Sequence, residues 1–341
     1  MKLSSLPNDL LIYIFMIILK EYKYGWYPAP IGPVIPIAIL LSQISSSTRR
    51  IVRAAPLLWT CIDSEVLTKP SYLHLYLELS RQCLLDISVT DVSNERGQFP
   101  IMMPLLAHAS RWRRFHMWIN TKADLRHFVI MLKHMRLQSL EQLDLTCWNE
   151  DDGDDELPHV EGSFLRGGTP CLQKISISNI KCLPLASHSL NRLILHNASY
   201  GSPLWSCAQF AEMLSKMPSL TCLEMTGPVV EIEEIPIRTI ALPSLRSLTL
   251  IEDEPDTLDN RSLYHAGILA LFTDAPLGSI SLCGPLVGAF PSILEALRTK
   301  RLHFPHVTEL YWDLLDESWE REDEEAFIQA FPRVEEEDRP F

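Results

Sequence analysis

The chain has 341 residues, of which 47% are hydrophobic, and its formal net charge is −13. This composition is typical of a globular protein with a sizeable core and excludes a disordered chain. The negative charge is concentrated in two runs, since 150–156 holds six acidic residues and 316–338 holds eleven acidic and two basic ones. The rest of the chain is close to neutral, which disfavours binding to a nucleic-acid phosphate backbone.

Cysteine usage and hydropathy indicate where the protein resides. The eight cysteines are spread thinly and none forms a C-x-x-C pair, which favours a reduced intracellular protein over a disulfide scaffold. The apolar run 10–19 is too short to span a bilayer, and 31–44 is broken by Pro33 and Pro36. We therefore expect a cytoplasmic and/or nuclear protein without a membrane partner.

The first predicted helix follows Leu6-Pro7. Proline suits a first helical turn, and Asp9 complements the positive end of the helix dipole. The apolar positions share one face at helical spacing, namely Leu10, Ile14, Ile17 and Ile18, with Leu11 and Phe15 beside them. A helix this apolar requires a partner. A signal peptide is an alternative, although no small-residue cleavage site follows, and an ordinary core helix is another.

Two stretches of the first sixty residues resemble an F-box. LPNDLLIYIF has Leu-Pro, an acidic residue, two large aliphatics and Ile-Phe, and ILLSQISSSTRRIVRAAPLLWTCI resembles the second half found in fungal F-box proteins. The positions that match in this second half are Leu41, Ser42, Gln43, Arg49, Ile51, Pro56, Leu58 and Trp59.

The resemblance implies an F-box-like helical domain over 1–62 that docks on the SKP-family adaptor of a cullin complex. The adaptor-binding residues that it implies are Leu6, Pro7, Leu10, Leu11, Ile14, Phe15, Leu41, Ile44, Ile51, Pro56 and Trp59. Residues 1–62 carry six basic and two acidic residues, a balance that favours an acidic partner surface.

The stretch 69–82 follows a short extended segment at 60–64. Leucine at every second position from Leu73 to Leu79 is typical of a strand. The length of the stretch and the helix formers Glu78 and Arg81 favour a helix instead, and a helix at this place also fits the F-box resemblance. We therefore predict a helix here.

From residue 84 a pattern recurs: apolar, two variable, apolar, one variable, apolar. Its nine copies begin at Leu84, Trp112, Leu140, Leu172, Leu190, Leu220, Leu245, Leu277 and Val307. This spacing is typical of leucine-rich repeats, in which each unit contributes one short strand and a returning helix or loop. It predicts an α/β fold, an irregular leucine-rich-repeat solenoid over 63–316 with an open parallel-sheet arc and helices or loops outside. Leucine-rich strands of an unrelated α/β domain are the alternative.

The connectors between these strands are predicted from their own patterns. Helices are expected at 121–135, 206–216, 262–272 and 290–297, and a loop in the short step between Leu172 and Leu190. Regular leucine-rich repeats usually have an Asn or Cys three residues after the last apolar residue of each strand. Neither residue occurs at that position here, so we expect no ladder of side chains that caps the turns. An acidic C-terminal cap and tail is expected at 317–341, where Trp319, Phe327 and Phe331 would pack on the last repeat. The repeats could complete their own core, which would leave the first helix available to another protein.

Catalytic and metal-binding signatures are absent from the sequence. It contains no G-x-G-x-x-G, P-loop, H-E-x-x-H or G-x-S-x-G motif, and no Cys/His group has metal-ligand spacing. We therefore predict no enzyme, no cofactor and no metal. The acidic run 151–155 could suggest calcium but lacks ligand spacing and fits an exposed loop. Arginines flank Trp112, and this combination could stack on nucleic-acid bases. The alternative interpretation is a strand edge that is simply exposed to solvent.

The strand residues beside each central apolar position point to one face of the sheet. This face is mixed polar, and Trp118 and Tyr311 are its best anchors because aromatics dominate binding hot spots. The predicted target-binding set is Trp118, Gln142, Asp144, Lys174, Ser176, Arg192, His196, Glu224, Thr249, Ser281 and Tyr311. A merely solvated face is the alternative.

Together with the resemblance, these features imply the substrate-recognition subunit of an SKP–cullin–F-box-type ubiquitin ligase, whose target protein the sequence does not identify. The alternative is a leucine-rich-repeat interaction scaffold without a ubiquitin-ligase role, in which the N-terminal helices only cap the repeats.

Overall fold

The structure is a computed structural model of an α/β chain built on a ten-stranded parallel sheet. It describes residues 6–24, 35–90, 99–119, 121–133, 135–147, 165, 167–181, 187–198, 203–236, 238–252, 263–284, 290–312 and 321–336.

The strands within these ranges are short and follow one another along the chain. They are β1 (Cys61–Ile62), β2 (Leu85–Val89), β3 (Trp112–Ile119), β4 (Gln142–Cys147), β5 (Lys174–Ser178), β6 (Arg192–His196), β7 (Trp205–Ser206), β8 (Cys222–Thr226), β9 (Val230–Glu231), β10 (Ser247–Ile251), β11 (Ser279–Cys283) and β12 (Glu309–Trp312). The main sheet has the order β1-β2-β3-β4-β5-β6-β8-β10-β11-β12, and β7 pairs only with β9. All nine stretches predicted as strands form strands of this sheet, so the prediction of a parallel α/β fold is confirmed.

Burial alternates along the strands as the sequence pattern requires. In β5, for example, Ile175 and Ile177 are buried and the residues between and beside them are partly exposed. The pairing register aligns Ile175 with Leu143 on β4 and with Leu193 on β6. Because side chains alternate between the two faces of a strand, this register stacks the apolar positions of successive strands into one core.

The helices lie between the strands and at the two ends of the described chain. They are α1 (Asn8–Tyr24), α2 (Ile37–Gln43), α3 (Ser46–Ala54), α4 (Ser64–Leu67), α5 (Pro70–Leu79), α6 (Phe99–Leu106), α7 (Lys122–Leu132), α8 (Cys207–Ser215), α9 (Tyr264–Leu271), α10 (Phe290–Arg298) and α11 (Arg321–Ala330). Helices α5, α7, α8, α9 and α10 occur where the sequence predicts them. The described residues between β5 and β6, at 179–181 and 187–191, contain no helix.

Two asparagines form side-chain bridges across the turns after β5 and β6. Asn179 Nδ2 donates to the Cys147 carbonyl at 3.3 Å, and its Oδ1 accepts from the Ala198 N–H at 2.7 Å. Asn197 Nδ2 donates to the Pro228 carbonyl at 2.6 Å. The expectation of no side-chain ladder is therefore wrong here, because the bridging asparagines stand one residue earlier than the position used for that prediction.

The next turn of the series, after β8, uses glycine. Gly227 has φ +69°, and a Cβ at this position would clash with the Asn197 carbonyl. Its N–H donates to the Ile251 carbonyl at 3.0 Å, which extends the parallel hydrogen bonding past the strand end. Glycine is required here both for the left-handed backbone and for the close approach.

The N-terminal helices share the core of the sheet. A 3-10 turn, Pro56–Trp59, follows α3 and buries Trp59, whose Nε1 donates to the Val52 carbonyl at 2.9 Å. The Trp59 ring meets the edge of Tyr76 on α5 with centroids 5.0 Å apart. Leu11 and Phe15 of α1 belong to the same core cluster. The expectation that the repeats complete their core without the first helix is therefore wrong for Leu11 and Phe15.

Helix α11 packs at the other end of the molecule. Phe327 and Phe331 are buried, and the Phe327 ring lies 6.1 Å from that of Trp312 on β12. The buried Asp323 accepts from Arg298 Nε on α10 at 2.7 Å, which fixes the two helices together. Trp319 and the acidic run 150–156 lie outside the described residues.

The packing of α1 can be tested by truncating one residue from each of its sides. Phe15 is 2% exposed and Leu10 is 48% exposed. We expect Phe15→Ala to lower the free energy of unfolding by about 3–5 kcal/mol through the cavity that it leaves. Leu10→Ala should change it by less than about 0.5 kcal/mol. Urea unfolding measures both, and equal effects of the two substitutions would contradict this orientation of the helix.

Candidate interaction surfaces

Exposed apolar side chains are concentrated in the N-terminal helices. Fifteen large apolar residues are exposed in the described ranges, and nine of them lie between residues 10 and 57. We call these nine the N-terminal apolar set; they are Leu10, Tyr13, Met16, Ile17, Ile18, Ile35, Leu40, Ile44 and Leu57. Within α1, the spacing of Leu10, Tyr13 and Ile17 puts them on one face. Scattered exposed apolar residues are ordinary, but such a concentration is typical of a binding surface.

The eleven residues predicted to bind an adaptor fall into three groups. Pro7, Leu10 and Ile44 are exposed, with Ile44 at 61%, and Leu6, Ile14 and Pro56 are partly buried. The remaining five are buried within the chain itself, namely Leu11, Phe15, Leu41, Ile51 and Trp59. In this structure these five side chains belong to the core on which the exposed residues of the same helices lie.

Seven members of the N-terminal apolar set were not among the predicted adaptor-binding residues. These are Tyr13, Met16, Ile17, Ile18, Ile35, Leu40 and Leu57. The exposure of Tyr13 could have been predicted from the sequence, because Tyr13 lies three residues after Leu10 on the same helical face. The exposure of Leu57 depends on the 3-10 turn, whose geometry points the neighbouring Leu58 inward.

Positive charge accompanies this apolar set. Arg49, Arg50 and Arg53 are exposed on α3, and 35–60 contains no acidic residue. Arg49 Nε donates to the Ser42 carbonyl at 3.1 Å and so links α3 to α2. A protein that docks on these helices should therefore present an acidic surface.

The polar side of the sheet carries side chains in three aligned rows, which together we call the polar face. The first row is Asp86, Arg114, Gln142, Lys174, Arg192, Cys222, Ser247, Ser279 and Glu309. The second row is Ser88, His116, Asp144, Ser176, Ile194, Glu224, Thr249, Ser281 and Tyr311. The third row is Trp118, Thr146, Ser178, His196, Thr226, Ile251 and Cys283.

All eleven residues of the predicted target-binding set lie in these rows, and none of them is buried. The pairing register therefore brings them onto one surface, with successive members about 4.8 Å apart across the strands. The two predicted anchors stand near opposite ends of it, Trp118 on β3 at 44% exposure and Tyr311 on β12 at 59%.

Three charged residues of the polar face take part in ion pairs, Asp86 with Arg113, which stands outside the three rows, and Arg192 with Glu224 within them. Arg113 donates to both carboxylate oxygens of Asp86 at 2.9 Å, and these hydrogen bonds raise the pKa of Arg113. Arg192 donates to Glu224 at 2.9 Å, which likewise raises the pKa of Arg192. These pairs leave a polar surface with little local excess charge at either site.

A pocket of about 480 Å³ opens where the N-terminal helices meet the first strands. We call it the β1–β3 pocket. Its described lining residues come from α1, α2, α5, β1 to β3 and the segments that follow β1 and β2, and they are Leu19, Ile37, Cys61, Ile62, Asp63, Ser64, Glu65, Tyr76, Ser88, Thr90 and His116. The size falls within the range of small-ligand and side-chain sites.

Two carboxylates, Asp63 and Glu65, are among the described residues of this pocket and act on the Tyr76 phenol beside them. Burial first, and then the nearby Asp63 carboxylate, raise the pKa of the Tyr76 phenol well above its usual value, and Glu65 acts in the same direction. Asp63 Oδ1 accepts the Val66 N–H at 3.1 Å as the N-cap of α4. The sequence does not predict this site, because the walls of the pocket come from elements far apart in the chain. The capping position of Asp63 is the one local signal for it.

Two negative findings concern the described ranges alone. They contain no group of three or more His, Cys, Asp or Glu side chains placed to hold a metal ion. They also contain no helix with both the length and the hydropathy of a bilayer crossing. No protein-family model matches the chain, and no curated protein matches it significantly.

The Asp86–Arg113 pair offers a test of the electrostatics of the polar face. Asp86 is buried whereas Arg113 is partly exposed, so we expect Asp86→Asn to lower the free energy of unfolding by about 1–3 kcal/mol. Glu224→Gln removes the charge from a more exposed pair and should cost less than about 1 kcal/mol. Urea unfolding of both variants provides the comparison, and a larger loss for Glu224→Gln would contradict it.

Proposed function

We propose that this protein is the substrate-recognition subunit of an SKP–cullin–F-box-type ubiquitin ligase. In this proposal α1 to α3 form an F-box-like segment that docks on an SKP-family adaptor, and the sheet belongs to an irregular leucine-rich-repeat solenoid whose polar face holds a target protein. The observation that carries the proposal is the concentration of exposed apolar residues on the N-terminal helices.

The form of that surface supports docking of helices on another protein. An amphipathic helix binds a groove through apolar residues spaced three and four apart, as Leu10, Tyr13 and Ile17 are on α1. The exposed arginines of α3 add a charge preference for an acidic partner. The resemblance of LPNDLLIYIF to the opening of an F-box indicates which partner this would be, namely an SKP-family adaptor.

The arrangement of the sheet supports the repeat assignment. Its strands recur at the spacing of leucine-rich repeats, and each pairs with the next one of the main sheet along the chain. The asparagine bridges from Asn179 and Asn197 act at the strand ends, where repeat proteins satisfy the backbone of their turns. The solvent-accessible polar face is the surface on which such proteins hold their partners.

The proposed protein catalyses no reaction itself. It brings two proteins together, and the transfer of ubiquitin belongs to other subunits of the complex. The proposal requires no cofactor and no metal, and it includes neither nucleic acid nor a membrane as a partner. It places the protein in the cytoplasm and/or nucleus, where such complexes act.

Adaptor binding can be tested with substitutions on the exposed side of the helices. Leu10→Asp combined with Ile44→Asp would place two charges in the proposed contact without entering the core. We expect the affinity for a purified SKP-family adaptor to fall about tenfold or more, because a charge buried without a partner is costly. A pull-down or calorimetric titration measures this loss.

The matched control is Ile130→Asp on α7. Ile130 is 65% exposed and lies outside the N-terminal helices, so the same chemical change there should leave adaptor binding intact. Full adaptor binding by the Leu10→Asp/Ile44→Asp variant would overturn the proposal.

The repeat scaffold without a ligase role is the second candidate. It is favoured by Leu11 and Phe15, which bury one side of α1 in the core that also contains the strands, as a capping helix would. A chain that captures a target through the polar face but never binds the adaptor would establish this candidate instead.

The target can be sought by affinity purification under proteasome inhibition. A target of the proposed ligase should accumulate on the wild-type protein when degradation is blocked. It should also co-purify with the Leu10→Asp/Ile44→Asp variant, because that variant retains the polar face, but without the adaptor. A set of captured proteins unaffected by proteasome inhibition would contradict the ligase role and agree with the scaffold.

A further inference from the structure

The N-terminal apolar set exposes as much surface as one side of a protein interface. Helix α1 packs against α2, α3 and the 3-10 turn, so the members of the set lie on one packed group of helices. The nine side chains are between 38% and 62% exposed. With about 200 Å² for a large apolar side chain, they expose on the order of 800 Å² together. A monomer seldom exposes more than a few hundred Å² in one apolar patch, whereas each partner of a standard interface buries about 800 Å².

The same helices carry charges of both signs. Arg50 and Arg53 are exposed on α3, and their spacing puts them on one side of that helix. Asp9 is exposed in the first turn of α1, one residue before Leu10. Among the residues that the structure describes, Asp9, Arg50 and Arg53 take part in no ion pair. A surface that holds unpaired charges of both signs can complement a second copy of itself.

Exposed apolar side chains stand next to both charged groups. Ile44 lies just before α3 and Leu57 just after it, and both are exposed. On α1, Tyr13 follows Asp9 by one helical turn and shares its side of the helix. If α1 of one copy lay across α3 of another, apolar side chains would meet apolar ones and the Asp9 carboxylate would meet the arginines.

Two-fold symmetry makes such a contact reciprocal. In an isologous pair each copy presents the same surface, so the contact between α1 and α3 occurs twice. A pair with α3 against α3 would instead set arginines against arginines, which is repulsive. The acidic helix α11 of a second copy is a poorer match for the arginines, because Asp323 already accepts from Arg298 and Glu325 pairs with Arg321.

We propose that two copies of this chain form a dimer through the N-terminal apolar set, with α1 of each copy lying across α3 of the other. The apolar residues of α1 contact those that flank α3 of the second copy, and Asp9 meets its Arg50 and Arg53. The contact is made by helices and not by strand edges. In one respect the inference rests on the proposed function: the adaptor would dock on the same surface, so the dimer and the adaptor complex exclude each other. Dimerisation then keeps the apolar set out of water until an adaptor binds.

Sedimentation velocity of the full chain tests self-association. We expect the average mass to rise from monomer to dimer as the concentration passes through about 1–100 μM, and to stop at the dimer. Tyr13→Asp places a charge in the contact without entering the core, so the dissociation constant should rise about tenfold or more. Ile130→Asp on α7 is the matched control and should dimerise like the wild type. Circular dichroism confirms that each variant folds.

An exchange of charges between two variants tests the reciprocal contact. Asp9→Arg sets arginine against arginine, and Arg50→Asp with Arg53→Asp sets carboxylate against carboxylate. Each variant alone should therefore dimerise about tenfold more weakly than the wild type. An equimolar mixture of the two restores opposite charges at both contacts of a heterodimer, so we expect it to dimerise again. Glu295→Arg, which reverses an exposed charge on α10, is the control and should neither weaken the dimer nor replace Asp9→Arg in the mixture.

Three results would overturn the proposal: a monomer at every concentration, an undiminished dimer of the Tyr13→Asp variant, or a mixture of charge variants that stays monomeric. Growth beyond the dimer would also overturn it, in favour of an open head-to-tail contact. A purified SKP-family adaptor should replace the dimer by a one-to-one complex, and a dimer that binds the adaptor intact would overturn the shared surface. A chain that dimerises but never binds the adaptor would contradict the proposed function alone. A monomeric chain that binds the adaptor would contradict the dimer alone.

Discussion

The register of the parallel sheet is the constraint on which the other features depend. Each of the main strands beyond β1 pairs with its neighbours so that the buried apolar positions align in one core and the residues between them align in the rows of the polar face. A shift of one residue in any strand would turn its leucines toward solvent and its charged residues into the core. The three rows of the polar face, the asparagine bridges and one wall of the β1–β3 pocket exist only because that shift is prevented.

The first helix illustrates how one element can serve both the core and a surface. Its residues are apolar on nearly every side, and a helix of that kind cannot expose all of them without cost. Packing places Leu11 and Phe15 in the core and leaves Leu10, Tyr13 and Ile17 outside. The buried side fixes the position of the exposed side relative to α2 and α3. A contact surface prepared in this way loses little conformational entropy when a partner binds.

The sequence was most informative where a short-range rule decides the structure. Two apolar residues separated by one position must point the same way in a strand, so Leu143 and Leu145 or Ile175 and Ile177 could be assigned in advance. The side chains expected on the polar face followed from the same rule. The bridging asparagines were missed because the exact turn geometry decides which position reaches the neighbouring carbonyl. The burial of Phe15 and the β1–β3 pocket depend on how distant elements pack, and a periodic pattern within one helix does not encode the partner of each side.

The two edge strands of the sheet differ from the interior ones in a way that bears on self-association. At one edge β1 pairs over two residues, and at the other β12 pairs over four, with Trp312 meeting Phe327 of α11. A parallel sheet with long bare edges offers unpaired backbone groups to any other chain, which promotes edge-to-edge aggregation. Over the residues that the structure describes, the strands at both ends are short and present few such groups. The ten strands can therefore form an extended sheet inside one molecule without providing a template on which a second molecule would add.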